Sequence, residues 1–277
     1  MFKGWVLAVG LAVTPTVVFA QDGEAPALDV QPGPTEGALG GHATLVVPEG
    51  FGFVDKSEMP TLNRLTGNLD SPRDVGALLS EDGWIVFFSF DDVGYVKDDD
   101  RDALDADSMI ASMKEGTEAS NAARKERGYP QLTLLGWQKE PYYDEDTQNL
   151  TWSIRNQSEG VEGIGINHEV RLLGRYGVMS ATLVAGSEEL PAAIPQLNKI
   201  LTGFSFNQGQ TYAEYVQGDK VAEYGLAGLV LGGGVLLAAK TGLLGYLGKF
   251  FKFIVVGVVA AIGGIARLFR GKSAEEA

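Results

Sequence analysis

Hydrophobic and polar residues alternate with two different periods along the middle of the chain. Leu150, Trp152 and Ile154 alternate with polar neighbours, which predicts a strand with one buried face. Residues 84–90 are apolar on both alternating faces, which predicts a central strand covered on both sides. Apolar residues at helical spacing predict helices over residues 56–67, 105–127 and 188–202. Further strand-like runs occupy residues 43–47, 51–54, 132–137, 166–173, 178–184 and 204–206.

The order of these elements predicts the fold class. Short polar links join the four strand-like runs between residues 132 and 184, which favours an antiparallel meander. Helices grouped with an antiparallel sheet indicate an α+β domain over residues 42–206. The segments TLVVPEGFGF and GFSF, near the two ends of this domain, resemble at fold level the PsbP and Mog1 type, in which helices flank an antiparallel sheet.

The first 41 residues predict two non-domain segments. Residues 1–20 begin with Lys3, continue with an apolar run and end in Val18-Phe19-Ala20, which is the pattern of a secretory signal peptide cleaved before Gln21. An uncleaved N-terminal anchor is the alternative. Residues 21–41 are rich in Pro, Gly, Ala and acidic residues and show no periodicity, which predicts a flexible leader.

The C-terminal end predicts a membrane segment over residues 221–270, reached by a polar stalk over residues 207–220 and followed by a tail over residues 271–277. Two uncharged runs, residues 224–239 and 253–266, are each marginal for a membrane span of about 20 residues. A hairpin of two transmembrane helices, about 222–240 and 251–268, is the preferred interpretation. A single span, or one span with one interfacial helix, is the alternative.

The distribution of charge also separates the predicted domain from the C-terminal end. Residues 21–220 carry 33 acidic and 15 basic residues, whereas the rest of the chain is net positive. An acidic domain argues against nucleic-acid binding, and the basic end suits contact with the lipid bilayer. The chain has no cysteine, which excludes disulfides and thiolate chemistry.

One acidic run is a candidate metal site. Asp98, Asp100 and Asp102 have the alternate spacing of a calcium-binding loop. However, Ala103 stands where such a loop needs glycine, and Met109 stands where it needs glutamate. The preferred interpretation is a solvated loop whose aspartates favour the N-terminus of the following helix.

The sequence contains no recognisable catalytic constellation, and no cofactor is predicted. It has two histidines, His42 and His168. His168 shares its strand face with Ile166, Val170 and Leu172, which predicts a partly buried, hydrogen-bonded side chain. A carboxylate pair could still perform acid–base chemistry. The aromatic residues Trp137, Tyr142, Tyr143 and Trp152 are predicted to pack in the core or at the sheet edge rather than to line a groove.

Several segments resemble a bacterial family of membrane-anchored proteins classed as a domain of unknown function. They are GYVKDDD (94–100), KEGTEASNAARKERGYP (114–130), GWQKEPYYD (136–144), LLGRYGVMSATLVA (172–185), GFSFNQGQTYAEYVQGDKVAEYGL (203–226) and AAKTGL (238–243). The resemblance implies an extracytoplasmic domain with a C-terminal membrane anchor. It implies no activity and no site residues.

The leading hypothesis is a non-enzymatic protein of the bacterial cytoplasmic (inner) membrane, whose domain faces the periplasm and binds another membrane or envelope protein. The first alternative is a carboxylate-dependent periplasmic hydrolase or transferase. The second is a subunit of a larger membrane complex, which would use the small-residue face formed by Gly228 and Gly232.

Overall fold

A computed structural model describes residues 28–230 as two antiparallel sheets with helices packed on them. The strands are β1 Gln31–Pro32, β2 Thr35–Leu39, β3 Ala43–Val47, β4 Phe51–Asp55, β5 Asp74–Ser80, β6 Ile85–Asp91, β7 Leu132–Asp144, β8 Asn149–Ser158, β9 Gly165–Leu173, β10 Val178–Gly186 and β11 Phe204–Phe206. The helices are α1 Met59–Thr66, α2 Ala106–Glu126, α3 Leu190–Leu201 and α4 Leu226–Val230, and short 3-10 helices lie at Arg101–Ala103 and Tyr212–Glu214.

The large sheet has eight strands in the order β1-β4-β5-β6-β10-β9-β8-β7, and every neighbouring pair is antiparallel. The small sheet has the order β11-β3-β2. The predicted α+β class with a large antiparallel sheet is therefore confirmed. The predicted central strand is β6, which lies inside the large sheet between β5 and β10.

The main core fills the space between one face of the large sheet and the layer formed by the small sheet and α3. Phe88 on β6 and Leu183 on β10 are fully buried there against Leu197 of α3. Leu190, Ala193, Leu197 and Ile200 repeat at helical spacing, so α3 buries a single stripe.

The opposite face of the large sheet is covered by two helices. Met59 and Leu62 of α1 pack on Val54 and Ala77 of β4 and β5. Helix α2 lies along β7, where Trp137 Nε1 donates to the Ala106 carbonyl over 3.1 Å. Helix α2 was predicted over residues 105–127 and spans Ala106–Glu126, and its buried residues are Met109 and Arg124.

The N-terminal boundary of the domain was predicted wrongly. Residues 21–41 were expected to be a flexible leader, but β1 and β2 lie within them. Strand β2 pairs with β3 from Thr35 to Leu39, and Leu39 is fully buried in the main core. Strand β5 was also missed, because its apolar run is short and contains Gly76.

The predicted signal peptide, the predicted membrane segment beyond residue 230 and the C-terminal tail lie outside the described residues. Within residues 28–230, no helix combines the length and the apolar character that a membrane span requires.

Candidate functional site

Residues 207–222 fold back across the domain and are called the clasp below. The sequence predicted a polar stalk over residues 207–220, and the structure corrects that prediction. Arg175 N donates to the Gln210 carbonyl over 2.8 Å, and Tyr95 N donates to the Lys220 carbonyl over 2.8 Å. Ala222 N returns a hydrogen bond to the Tyr95 carbonyl over 2.9 Å. The clasp is therefore paired through its backbone to two separate loops of the domain.

Aromatic stacking holds the middle of the clasp. The ring of Tyr95 stacks on Tyr212 with the centroids 4.4 Å apart, and on Tyr215 with the centroids 4.2 Å apart. The Tyr212 hydroxyl donates to the Val96 carbonyl over 3.0 Å, and this side chain is only 8% exposed. Burial raises the pKa of Tyr212 well above its ordinary value, so the hydroxyl stays protonated and can donate.

An ion pair holds the last part of the clasp. Arg175 Nε and Nη2 donate to the two carboxylate oxygens of Asp219 over 2.7 and 3.0 Å, which is bidentate geometry. Val216 N donates to Asp219 Oδ2 over 2.9 Å. The Arg175 guanidinium holds the pKa of Asp219 below its ordinary value, so the pair stays ionised at neutral and mildly acidic pH.

A reciprocal side-chain cap fixes the 3-10 turn at the start of the clasp. Thr211 donates from its hydroxyl and from its backbone nitrogen to Glu214 Oε2, over 2.7 and 2.9 Å. Gly209 N donates to Glu214 Oε1 over 3.2 Å. These hydrogen bonds lower the pKa of Glu214, because they favour its ionised form.

The clasp leads directly to α4, and Asp100 caps that helix. Leu226 N donates to Asp100 Oδ1 over 2.8 Å, and Ala227 N donates to Asp100 Oδ2 over 3.2 Å. Leu226 is fully buried. Asp100 therefore joins the acidic loop after β6 to the first turn of the predicted membrane segment.

The three candidate metal ligands do not converge on one point. Asp100 caps α4, Asp98 lies 3.7 Å from the Arg101 guanidinium, and Asp102 is exposed on the 3-10 helix. Asp98 also lies beside Tyr143, whose pKa is raised by burial first and by this carboxylate second. Among residues 28–230, no group of three or more histidine, aspartate or glutamate side chains could hold a metal ion. The three aspartates therefore make separate contacts, and the cap of helix α2 is Asp105, whose Oδ1 accepts from Ser108 N over 3.1 Å.

The structure locates His168 and the aromatic residues of β7. His168 is hydrogen-bonded as predicted, with Nδ1 lying 2.8 Å from Ser153 Oγ, but it is buried more deeply than expected at 3% exposure. Tyr142 and Tyr143 are consecutive on β7 and pair with Thr151 and Leu150, so they point to opposite faces of the sheet. The aromatic cluster therefore does not form one groove.

Two open grooves of the described domain have volumes of about 650 Å³ and about 230 Å³. The larger contains Glu159 and Glu162, and the smaller contains Glu49, Glu81 and Asp82. A general acid needs a carboxyl group whose pKa is raised. The carboxyl groups with a shifted pKa are Asp55, Glu214 and Asp219, and all three are shifted downward by hydrogen bonds.

Gly94 gives the first test of the clasp. Its φ is +92°, and a Cβ atom there would lie 2.5 Å from the Lys220 carbonyl oxygen. Gly94→Ala is expected to lower the free energy of unfolding and to expose the clasp to protease, because the new methyl group pushes the Lys220 backbone away. The matched control is Gly83→Ala, in the turn between β5 and β6 and outside the clasp, whose φ is +90° but whose Cβ would meet nothing within 4 Å. Both variants carry the backbone cost of about 1–3 kcal/mol, so equal protease sensitivity would contradict the role given to this contact.

Asp100 gives the second test. Asp100→Ala is expected to destabilise the first turn of α4 by about 0.5–2 kcal/mol, the usual cost of a lost N-cap. Faster amide hydrogen exchange at Leu226 and Ala227 would report it. Asp99→Ala removes a neighbouring exposed carboxylate with no contact to α4 and should leave that exchange unchanged. Similar exchange in the two variants would show that the cap does not hold the helix.

Three of the segments that carry the family resemblance meet at the clasp. Tyr95 and Asp100 belong to GYVKDDD, Arg175 belongs to LLGRYGVMSATLVA, and Tyr212 and Asp219 belong to the long segment that begins GFSF. A model of the family described as a protein of unknown function, DUF2167, matches residues 31–263. The chain belongs to the DUF2167 family. The region matched contains every described strand and helix, and it includes the clasp.

No curated protein matches this DUF2167 chain in sequence. Two solved structures are similar in part. The solution structure of cyanobacterial PsbP (CyanoP) from Synechocystis sp. PCC 6803 has 10% identity and a TM-score of 0.39. The matched region covers 68% of this chain and 98% of the CyanoP chain. The crystal structure of the Saccharomyces cerevisiae Ran-binding protein Mog1p has 12% identity and a TM-score of 0.31. The matched region covers 69% of this chain and 100% of the Mog1p chain. Likeness at this level indicates no function for the DUF2167 chain.

Proposed function

We propose that this DUF2167 protein is anchored in the bacterial cytoplasmic membrane by residues 221–270 and presents its α+β domain in the periplasm as a non-enzymatic, partner-binding module. The observation that carries the proposal is the clasp. It fastens the chain to the domain immediately before the apolar C-terminal sequence, through Tyr95, Arg175 and Asp100.

The contacts of the clasp support a positioning role. They use stacked tyrosines, a bidentate ion pair and a helix cap, and each of these restricts the orientation of the chain at its own point. The side chains involved bond to one another and to the backbone. The downward shifts of the pKa of Glu214 and Asp219 keep both carboxylates ionised, which suits structural contacts and does not suit general acid catalysis.

Membrane anchoring is tested by fractionation of cells that express the full chain. We expect the protein to stay with membranes after an alkaline wash that strips peripheral proteins. Recovery in the soluble fraction would contradict anchoring. A reporter fused after Ala277 then assigns the tail to the periplasm, as expected for a hairpin of two spans, or to the cytoplasm, as expected for a single span.

Partner binding is tested separately, by crosslinking in intact cells. Since the natural chain has no cysteine, single cysteines at exposed positions such as Val46 and Val161 can each carry a thiol-directed photocrosslinker. The parent chain without cysteine is the matched control. We expect a reproducible adduct at one or more positions, and the absence of any adduct across the exposed surface would contradict a partner-binding role.

A further inference from the structure

Three exposed apolar side chains lie around the clasp and are called the clasp rim below. They are Tyr176, Val216 and Val221, with 40%, 53% and 37% of their surface exposed. Five other large apolar side chains within residues 28–230 are similarly exposed, and they are spread over β3, α1, β7 and the loop after β8. The rim therefore consists of the exposed apolar residues that lie within the clasp or beside its contacts.

Contacts bring the backbones of the three rim residues close to one another. The Tyr176 carbonyl accepts from Gly94 N over 2.9 Å, and Val221 forms a parallel bridge with the adjacent Tyr95. The Arg175 guanidinium lies 4.9 Å from the Tyr176 ring and binds Asp219, which in turn accepts from Val216 N. Each rim residue is thus one or two contacts away from the other two.

The rim is also close to the start of the C-terminal apolar sequence. Four residues lie between Val221 and Leu226, and the five Cα-to-Cα steps of a fully extended chain span about 18 Å. Asp100 holds Leu226, and Asp100 belongs to the same loop as Tyr95. Because both ends of this short connection are fixed on the domain, the rim cannot move away from the point where α4 begins.

We infer that the clasp rim is a membrane-contact surface, which lies in the headgroup region of the bilayer entered by the C-terminal segment. This inference rests on the proposed function. The chemistry of the rim fits a lipid interface, because tyrosine combines an apolar ring with a polar tip and is enriched at that depth. Lys220 precedes Val221, and its side chain is 65% exposed, with its ammonium donating to the Asp92 carbonyl over 2.9 Å and lying 3.9 Å from the Asp92 carboxylate. The exposed aliphatic stem of such a side chain can lie along a lipid interface.

A lipid surface suits the rim better than a protein partner. A stable protein interface buries about 800 Å² on each partner, whereas the rim offers three separated side chains. A domain that is already tethered needs much less contact area, because the anchor keeps its effective concentration at the membrane high.

The absence of cysteine allows a direct test with the full chain. Single-cysteine variants V216C and V221C are labelled with a fluorescent dye and reconstituted into phosphatidylcholine vesicles that carry a nitroxide on the headgroup. V161C and V46C are the controls, with parent side chains that are 55% and 56% exposed. Val161 and Tyr176 flank opposite ends of β9, whose nine residues separate them by about 30 Å.

The inference predicts at least a several-fold stronger quenching at positions 216 and 221 than at 161 and 46. Equal, weak quenching at all four positions, with the protein floating with the vesicles, would overturn the inference and leave membrane anchoring intact. A blue-shifted but unquenched dye at 216 and 221 would assign the rim to a protein contact instead and would also overturn it. Failure of the chain to float with the vesicles would overturn the proposed anchoring itself, and the inference with it.

Discussion

Tyr212→Ala is expected to release the clasp and to lower the free energy of unfolding by about 3–5 kcal/mol, the usual cost of deleting a buried aromatic side chain. Tyr212 is 8% exposed, stacks on Tyr95 and donates to the Val96 carbonyl. Its removal takes away one of the two rings that enclose Tyr95. Urea unfolding of the purified protein would measure the loss, and proteolysis within residues 207–222 would show the release.

The conservative variant Tyr212→Phe separates the ring from the hydroxyl. It keeps the stacking and loses one hydrogen bond, so we expect a loss of about 1 kcal/mol and a clasp that still resists protease. If the phenylalanine variant were as unstable and as sensitive to protease as the alanine variant, the clasp would depend on the hydrogen bond and not on stacking.

Acidification is expected to destabilise the domain through His168 before most carboxylates are protonated. Burial, together with the charge of the nearby Lys139, lowers the pKa of His168 to about 4 from its ordinary value of 6.5. The unfolded chain therefore binds a proton between these two values that the folded chain does not bind. The stability contributed by the neutral ring is complete above pH 6.5, falls as the pH decreases, and is lost by about pH 4. The total is roughly 3 kcal/mol.

The matched variant is His168→Gln, which cannot titrate but can still accept a hydrogen bond from Ser153. Its free energy of unfolding, measured by urea titration, should change less between pH 6.5 and pH 4 than that of the natural protein. Identical pH profiles for the natural protein and His168→Gln would rule out a buried neutral histidine.

The core of the fold was predictable because local patterns encode it. The regular stripe on α3 predicts one buried face, and the structure has it. Alternating apolar residues on β8 correctly predict a strand, but both of its faces are buried from Leu150 to Ile154, since Thr151 and Ser153 are only 6% and 1% exposed. Helix α2 was predicted from a weaker apolar pattern. Its buried residues are Met109 and Arg124, and its Asn121 side chain exchanges two hydrogen bonds with the Leu132 backbone of β7 over 2.9 Å. A helix that packs through polar side chains carries little apolar periodicity.

The clasp could not be predicted in the same way, because its contacts join residues far apart in sequence. Arg175 and Asp219 are 44 residues apart, Tyr212 and Val96 are 116 apart, and Leu226 and Asp100 are 126 apart. No short window of the sequence contains both partners of any of these three contacts. The density of Gly, Gln and Tyr in residues 207–220 resembled a linker, and the signal that could have corrected this was the family resemblance, which continues unbroken through the same residues.

The clasp also sets how far the domain can reach. Residues 207–220, if they were a free tether, could extend to about 45 Å and would let the domain explore a wide volume around its attachment point. Folded back onto the turn between β9 and β10 and onto the loop after β6, they add no length between the domain and Leu226. With the anchoring proposed above, a partner in the envelope would have to lie no farther from the membrane than the length of the domain. The protein would then select its partners by their distance from the membrane as well as by their surface.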